Sequence, residues 1–435
     1  MNCDQQPTAC FWKKQLPPQW RRHIYLFAVV SVLLPRLLFL AIAPNRIGGN
    51  GPEFIHVAEN LANSKGFALE GGTPDAYNSP LYIFFLAASR KVFGSQLIPV
   101  KLFQIGFDVV LVLVLMRLCL RFFSGVATAL FVLLFSFHPL LLYYTTYIAE
   151  EPLLILFVGL GFFAICAAVY QGRYRYFGLA GVLFGMASLT KGTPIALPFL
   201  IAGSLWLFHR QPKRPTALSL LFFLLTYAAT LSPWALRNYT LFGYFSLTAK
   251  GFGKAFYWGS DPRMFAEPST PIWVSGHKVQ KEDFPGDTEE RKLNSLVFKR
   301  EKQYYDQGVK NYQKLLKQPG ALLKLLVLKA TRSLYATEAN RLAANLAVLA
   351  VQLPLIVFGA IGIVRLFRRD VTRPLALLLL IYMGYFYLAV TVGLPMVRYF
   401  APALPMLFIA AMAGISRLTV REDAAMPVSL QSPHR

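Results

Sequence analysis

Apolar runs separated by short polar breaks fill most of the chain. About ten of them, near 24–43, 99–120, 124–142, 152–170, 177–190, 193–208, 217–235, 345–364, 374–392 and 400–418, reach or approach the length a helix needs to cross ~30 Å of hydrocarbon. A further span would fit in 78–94 or 320–335. Two long stretches interrupt the rhythm, 44–98 and 236–344. In the first, Phe54, Val57, Ala58 and Leu61 recur at helical spacing, with Glu53, His56, Asn60 and Asn63 between them. That pattern predicts an amphipathic helix over 52–65 lying on the membrane. Pro52 suits its first turn, with Asn50 or Gly51 as the cap. In the second stretch, 295–318 has the pattern of a polar helix.

Composition makes the membrane reading firm. Of 435 residues, 55% are hydrophobic and only 15% charged, and the mean hydropathy is +0.46, too apolar for a soluble chain of this size. The fold class expected is an all-α polytopic membrane protein. The formal net charge of +23 does not point to nucleic acid, because much of it lies in short loops beside apolar runs. Those loops carry Arg117 and Arg121; Arg173 and Arg175; Arg210, Lys213 and Arg214; Arg365, Arg368, Arg369 and Arg373; Arg417 and Arg421. The alternate short loops carry only Lys191 and Arg398. The positive-inside rule then puts both termini in the cytoplasm and 44–98 and 236–344 outside. The resulting plan is a cytoplasmic N-terminus (1–23), a first span (24–43), an outer loop (44–98), a transmembrane bundle (99–235), a long outer loop (236–344), C-terminal spans (345–418) and a disordered cytoplasmic tail (419–435). The first run, with basic residues before it and no small-residue cleavage site after it, is expected to stay in the membrane. The four cysteines, at 3, 10, 119 and 166, offer neither a disulfide framework nor zinc spacing.

Chemistry-bearing residues gather in the predicted outer segments. Glu53 lies at a helix start, where the dipole favours an ionised carboxylate fit to act as a general base; a solvated acid at a favourable helix start fits as well. Glu150 and Glu151 stand at the mouth of a span, where acids are costly unless solvated, paired or used. They would hydrogen-bond substrate, hold a divalent cation with Glu53, pair with a lysine, or simply precede Pro152 as an N-terminal cap. Lys191 offers a point charge for a phosphate, or a cation at a span's C-terminal end. Arg237 and Arg398 would grip a phosphate bidentately, or snorkel to headgroups. His56 is an accessory candidate on the face of Glu53. "KGFGKAF" at 250–256 lacks phosphate-loop spacing, Asn238-Tyr-Thr is a glycosylation sequon by pattern only, and six scattered histidines form no metal constellation.

The order of these motifs resembles the GT-C glycosyltransferases of the protein-mannosyltransferase and aminoarabinose-transferase type. "NGPEFIHVAENLANSKGFAL" is similar to that family's first outer helix, which an acid opens. "NSPLYIFFLAASRKVFG", "YIAEEPLLILF" and "GMASLTKGTPIALP" follow in the family's order, and "SPWALRNYTLFG" and "VRYFAPALP" are the most specific elements. The resemblance covers about 24–265 and 340–418. It implies a GT-C-like bundle of about 10–12 spans with amphipathic helices on its outer face. It also implies an inverting hexosyl or pentosyl transfer from a polyprenyl-phosphate sugar, metal-independent or weakly dependent on a divalent cation, with no nucleotide sugar and no required cofactor. The family's catalytic aspartate aligns with Asn50, and its tyrosine with Phe54. An amide cannot act as a base, so the role shifts to Glu53, one helical turn on.

The expected function is therefore a plasma (inner) membrane glycosyltransferase with its site on the outer face. Glu53 would be the base, with Asn50, Glu150 and Glu151 in the catalytic group and Lys191, Arg237 and Arg398 on the donor phosphate. His56, Tyr82, Asn238 and Tyr399 would be accessory, and no metal ligand is assigned. The acceptor would be a glycolipid, polysaccharide or protein, bound through 236–344. A lipid-sugar flippase is the alternative, but it calls for charges near the midplane and inverted repeats, and the spans hold few charges besides Arg36 and Asp108. A non-catalytic envelope subunit is a third reading, suggested by Asn50.

Overall fold

The computed structural model describes residues 18–69, 72–208, 216–248, 251–266, 270–284 and 294–416. The expectations for both chain ends and for the loop bearing Arg210, Lys213 and Arg214 fall outside these residues, wholly or in part.

Each predicted span is helical. Among the described residues, seven helices are long and apolar enough to cross a membrane: α1 (Pro18–Ile42, from Arg22), α4 (Ile98–Phe122), α7 (Glu151–Gln171), α10 (Ala217–Phe242), α15 (Leu342–Phe367), α16 (Arg373–Val392), and the continuous run Val397–Ile415. That last run comprises α17 (Val397–Phe400), a 3-10 turn and α18 (Leu404–Ile415). The run 124–142 is a bent pair, α5 (Gly125–Phe137) and α6 (Pro139–Thr145), with a 54° angle between them. The break follows from Pro139, which cannot continue a helix hydrogen-bond ladder. The remaining two runs are α8 (Tyr174–Thr190, 17 residues) and α9 (Leu197–Phe208, 12 residues).

Helices hold together where side chains are small. On α8, Gly178, Gly181 and Gly185 let α10 approach so closely that a Cβ at Gly181 would stand 2.1 Å from Thr226 Oγ1. Gly362 and Gly414 do the same between α15 and α18, where a Cβ on Gly362 would lie 1.9 Å from the Ala410 carbonyl oxygen. Lipid tails are as apolar as leucine, so close backbone contact of this kind, rather than hydrophobic burial, drives helix association in membranes.

A polar girdle is buried inside the bundle. Arg36, fully buried on α1, donates from Nε to Asp108 Oδ2 on α4 at 2.6 Å and from Nη1 to the Ser136 carbonyl at 3.1 Å. Asp108 Oδ2 also accepts from Thr145 Oγ1 at 2.6 Å. Gln104 continues the chain, donating to the carbonyls of Thr145 and Tyr147 and accepting from Tyr82. Ser136, Phe135 and Thr145 of the broken α5–α6 element are among the partners, so these groups brace the segment that leads to Glu150.

The expected amphipathic helix is α2 (Gly51–Ala62), packed on α3 (Pro80–Phe93) through the Phe54–Tyr82 ring pair, with centroids 5.6 Å apart. The second long segment forms α11 (Phe252–Ser260), α12 (Ile272–Asp283), α13 (Asn294–Leu316) and α14 (Pro319–Tyr335). These surround a separate small core containing Tyr257, Trp258, Ile272, Tyr304 and Leu325, to which Leu394 and Met396 contribute. Over their described residues, the predicted outer segments are therefore structured.

Candidate active site

Two carboxylate groupings lie at the end of the bundle where the predicted outer segments meet. The first is built on α2 and the strap that follows it. Glu53, partly exposed in the first turn of α2, accepts at Oε1 from Asn78 Nδ2 at 3.0 Å. The same amide donates to Asp75 Oδ2 at 2.7 Å. Asp75 Oδ1 closes an Asx turn, accepting from the backbone N–H groups of Tyr77 (2.7 Å) and Asn78 (3.3 Å). Burial raises the Asp75 carboxyl above the usual range; the bonds from Asn78 and Tyr77 oppose this, and the nearby Glu53 charge adds to it. One amide thus sets two carboxyl groups side by side.

Arg237 locks this strap to α10. Its Nη1 donates to the Asp75 carbonyl at 2.7 Å and to Asn238 Oδ1 at 3.0 Å, and its Nη2 to the Phe67 carbonyl at 3.1 Å. Its guanidinium lies 4.4 Å from the Trp234 ring centroid. Arg237 was expected with Lys191 and Arg398; the structure gives it these other partners. Asn238 is fully buried and donates to the Ser246 carbonyl at 3.0 Å. Tyr82 is buried with its hydroxyl on Gln104, and His56 Nε2 pairs with Asn60 Nδ2 at 3.3 Å.

The second grouping is an ion cluster. Lys191 Nζ lies 2.7 Å from Glu150 Oε1 and 2.8 Å from Glu151 Oε1. Arg398 bonds Glu151 through Nε and Glu338 through Nη1. The chain path explains the first pairing: α7 begins at Glu151 and α8 ends at Thr190, so this antiparallel hairpin returns Lys191 to the acids. Of the roles expected for Glu150 and Glu151, pairing with a lysine is displayed, and Glu150 also stands at the N-cap of α7, without a side-chain cap bond. Burial alone would lower Lys191, but the charges of Glu150 and Glu151 overcome it and hold the ammonium above the usual lysine value. Tyr399 lies beneath Lys191, 4.8 Å from Nζ to the ring centroid. Among the described residues no group of three or more His, Cys, Asp and Glu is arranged to hold a metal.

A glycine-rich loop joins the two groupings. Asn50 caps α2 through its carbonyl, which accepts from the Phe54 N–H at 3.0 Å, with no side-chain cap bond. Gly49 has φ +39°, and a Cβ there would meet Arg398 Nη1 at 3.4 Å. A Cβ on Gly51 would stand 3.1 Å from the Ile148 carbonyl oxygen, two residues before Glu150. Lys101 fastens the loop's start by donating to the carbonyls of Pro44 (2.6 Å) and Arg46 (2.8 Å).

Sequence reasoning missed Asp75, Asn78 and Glu338. "PDAYNSP" carried a usable signal, since Asp followed by a turn and a proline suggests an Asx turn. Nothing local marks Glu338.

A multi-span helical bundle with structured helices over one end defines the class as an all-α polytopic membrane protein. The model of the dolichyl-phosphate-mannose-protein mannosyltransferase family matches residues 77–236, which bear Asn78, Glu150, Glu151 and Lys191. In fold the chain is similar to the archaeal oligosaccharyltransferase AglB from Archaeoglobus fulgidus, solved with an inhibitory peptide and a dolichol-phosphate. The TM-score is 0.55 at 14% identity, over 91% of this chain and 50% of that one, so this chain spans half the length of that relative. ArnT from Cupriavidus metallidurans, in the apo state, aligns with a TM-score of 0.38 at 16% identity, over 87% of this chain and 76% of that one. No curated protein sequence matches. The expected resemblance to the GT-C glycosyltransferase superfamily is borne out.

Proposed function

We propose that the protein is a membrane glycosyltransferase that moves a sugar from a polyprenyl-phosphate donor to an acceptor at the outer face of the membrane. The observation that carries this reading is the meeting of Lys191 and Arg398 on Glu151, beside the loop that begins the Glu53 helix. A partly exposed carboxylate and two cations fit to hold a phosphate then share one end of the bundle, and the family match takes in Lys191 among them.

In this reading Glu53 is the base. Its Oε1 is held by Asn78, and among the described residues nothing donates to its Oε2, which is left for the acceptor's O–H or N–H. That proton passes to Glu53 as the acceptor atom bonds to the anomeric carbon. The bond from that carbon to the phosphate oxygen breaks, and its electron pair leaves with the lipid phosphate. Lys191 and Arg398 stabilise the charge that develops there. Glu150 and Glu151 hold the two cations in place, and Arg237 shapes the strap that carries Asp75 and Asn78.

The test is sugar transfer in reconstituted vesicles supplied with a polyprenyl-phosphate sugar. Glu53→Gln should lower turnover by about 10²–10⁴-fold, the scale of a lost general base. Asn50→Ala should retain most activity, because only its backbone carbonyl is used. Full activity in Glu53→Gln would sink the assignment.

A further inference from the structure

The ion cluster is closed upon itself. Lys191 and Arg398 face Glu150, Glu151 and Glu338, so two cations meet three carboxylates and leave one surplus negative charge. A phosphate approaching this set meets net repulsion unless a carboxylate leaves. The three acids are not equally free to go. The Glu151 side chain is 1% exposed, lies in the first turn of α7 and bonds both cations. Glu150, 9% exposed at its side chain, is adjacent to it on the same short turn.

Glu338 differs. Its side chain is 21% exposed and reaches Arg398 from the loop between α14 and α15. Among the described residues it makes no other hydrogen bond or ion pair. The backbone around it is pinned. Thr337 donates from its N–H and its hydroxyl to Asn345 Oδ1, at 2.9 and 2.8 Å, and Asn340 Oδ1 accepts from Asn345 Nδ2 at 3.1 Å. The side chain can therefore turn away by rotamer change while the loop stays in place.

Arg398 is arranged for such an exchange. Nε is committed to Glu151 and Nη1 to Glu338, and no described residue accepts from Nη2. Removing Glu338 would free the Nη1–Nη2 edge, the one that bonds a phosphate through two parallel N–H donors. Gly49 keeps the space beside Nη1 free of a side chain.

We propose that Glu338 occupies the place of a ligand's phosphate on Arg398 and is exchanged for it when a lipid phosphate binds. This rests on the reading of Lys191 and Arg398 as an anion site. An internal competitor lowers apparent affinity by the fraction of time it is absent, and a competitor bound 90% of the time costs about tenfold.

The experiment measures binding of a polyprenyl phosphate to the full chain in nanodiscs, with inorganic phosphate as a second probe. Glu338→Gln keeps the shape and removes the charge, and should tighten binding about tenfold. Glu338→Asp keeps the charge on a shorter stem and should tighten it less, about twofold to threefold; it carries the test if Glu338→Gln does not fold. Tightening toward either probe supports the exchange, and the probe that responds identifies lipid-borne or free phosphate as the source. Unchanged or weaker binding in both variants overturns it. If wild type binds and Arg398→Gln abolishes binding while neither Glu338 variant tightens it, only the exchange falls. If wild type binds neither probe, the anion-site reading falls and the exchange with it.

Discussion

Asn78 decides how Glu53 presents its carboxylate. Its amide is the only described donor to Glu53, and it holds Asp75 with its other bond. Asn78→Asp would replace that donor with a third carboxylate. Mutual repulsion raises the pKa of neighbouring acids, so the acid limb of the pH–rate profile should move to higher pH by roughly one unit; an unmoved limb would show that the amide does not tune the site. Lys329 on α14 is a second residue whose surroundings set its charge. It is fully buried, donates to the carbonyls of Gly259 (2.7 Å) and Val392 (2.9 Å) and to the Tyr312 hydroxyl (2.9 Å), and faces no carboxylate among those partners. Burial lowers it to about 7. Between that value and the ordinary lysine pKa, the unfolded chain binds a proton that the folded chain does not. Stability of the small core should therefore rise with pH across about 7.5–9.5 in detergent melts. Lys329→Met should flatten the rise, and a parallel slope in the variant would rule Lys329 out as its source.

At the scale of elements, the antiparallel α7–α8 hairpin and the tight α8–α10 contact place Lys191. Gly181→Leu should force α8 away from α10, because the atoms in the way include the Phe223 carbonyl and the Tyr227 amide nitrogen, which are backbone and cannot move aside. Overpacking of this kind costs about 1–3 kcal/mol or more, and melting in detergent should report it as a lower Tm. The Arg36–Asp108 pair acts likewise on the bent α5–α6 element. Asp108→Leu leaves a buried guanidinium without its counter-charge, and breaking such a pair costs on the order of 3–5 kcal/mol. Expression of a folded protein should drop sharply, whereas a stable variant would mean the backbone carbonyls around Arg36 suffice.

For the whole molecule, the charge pattern of the short loops expects the α11–α14 assembly to lie outside. Lysines abound there, but long loops escape the positive-inside rule. A single cysteine at the exposed Gln318, in a chain with Cys3 and Cys10 replaced by serine, should react with a membrane-impermeant thiol reagent in intact cells. A cysteine at the exposed Arg368 should react only after permeabilisation. The native Cys119 and Cys166 are buried and should stay silent. The reverse labelling would invert the topology and move the site to the cytoplasmic side.

The sequence by itself determined the helical spans, the amphipathic α2 and the short list of acids and bases, because helix period, span length and charge placement are local properties of the chain. It also held the motifs within 77–236, the stretch that the family model matches. Partnership was decided elsewhere. Arg237 and Arg398 look alike locally, each within two residues of a tyrosine near a predicted span boundary, yet one clasps the backbone of the strap and the other joins Glu151 and Glu338. Glu338 lies 187 positions from Glu151, and Asn78 lies 25 from Glu53. Which charge neutralises which depends on how hairpins return and how closely glycine-bearing helices pack, and that is a property of the assembled bundle alone.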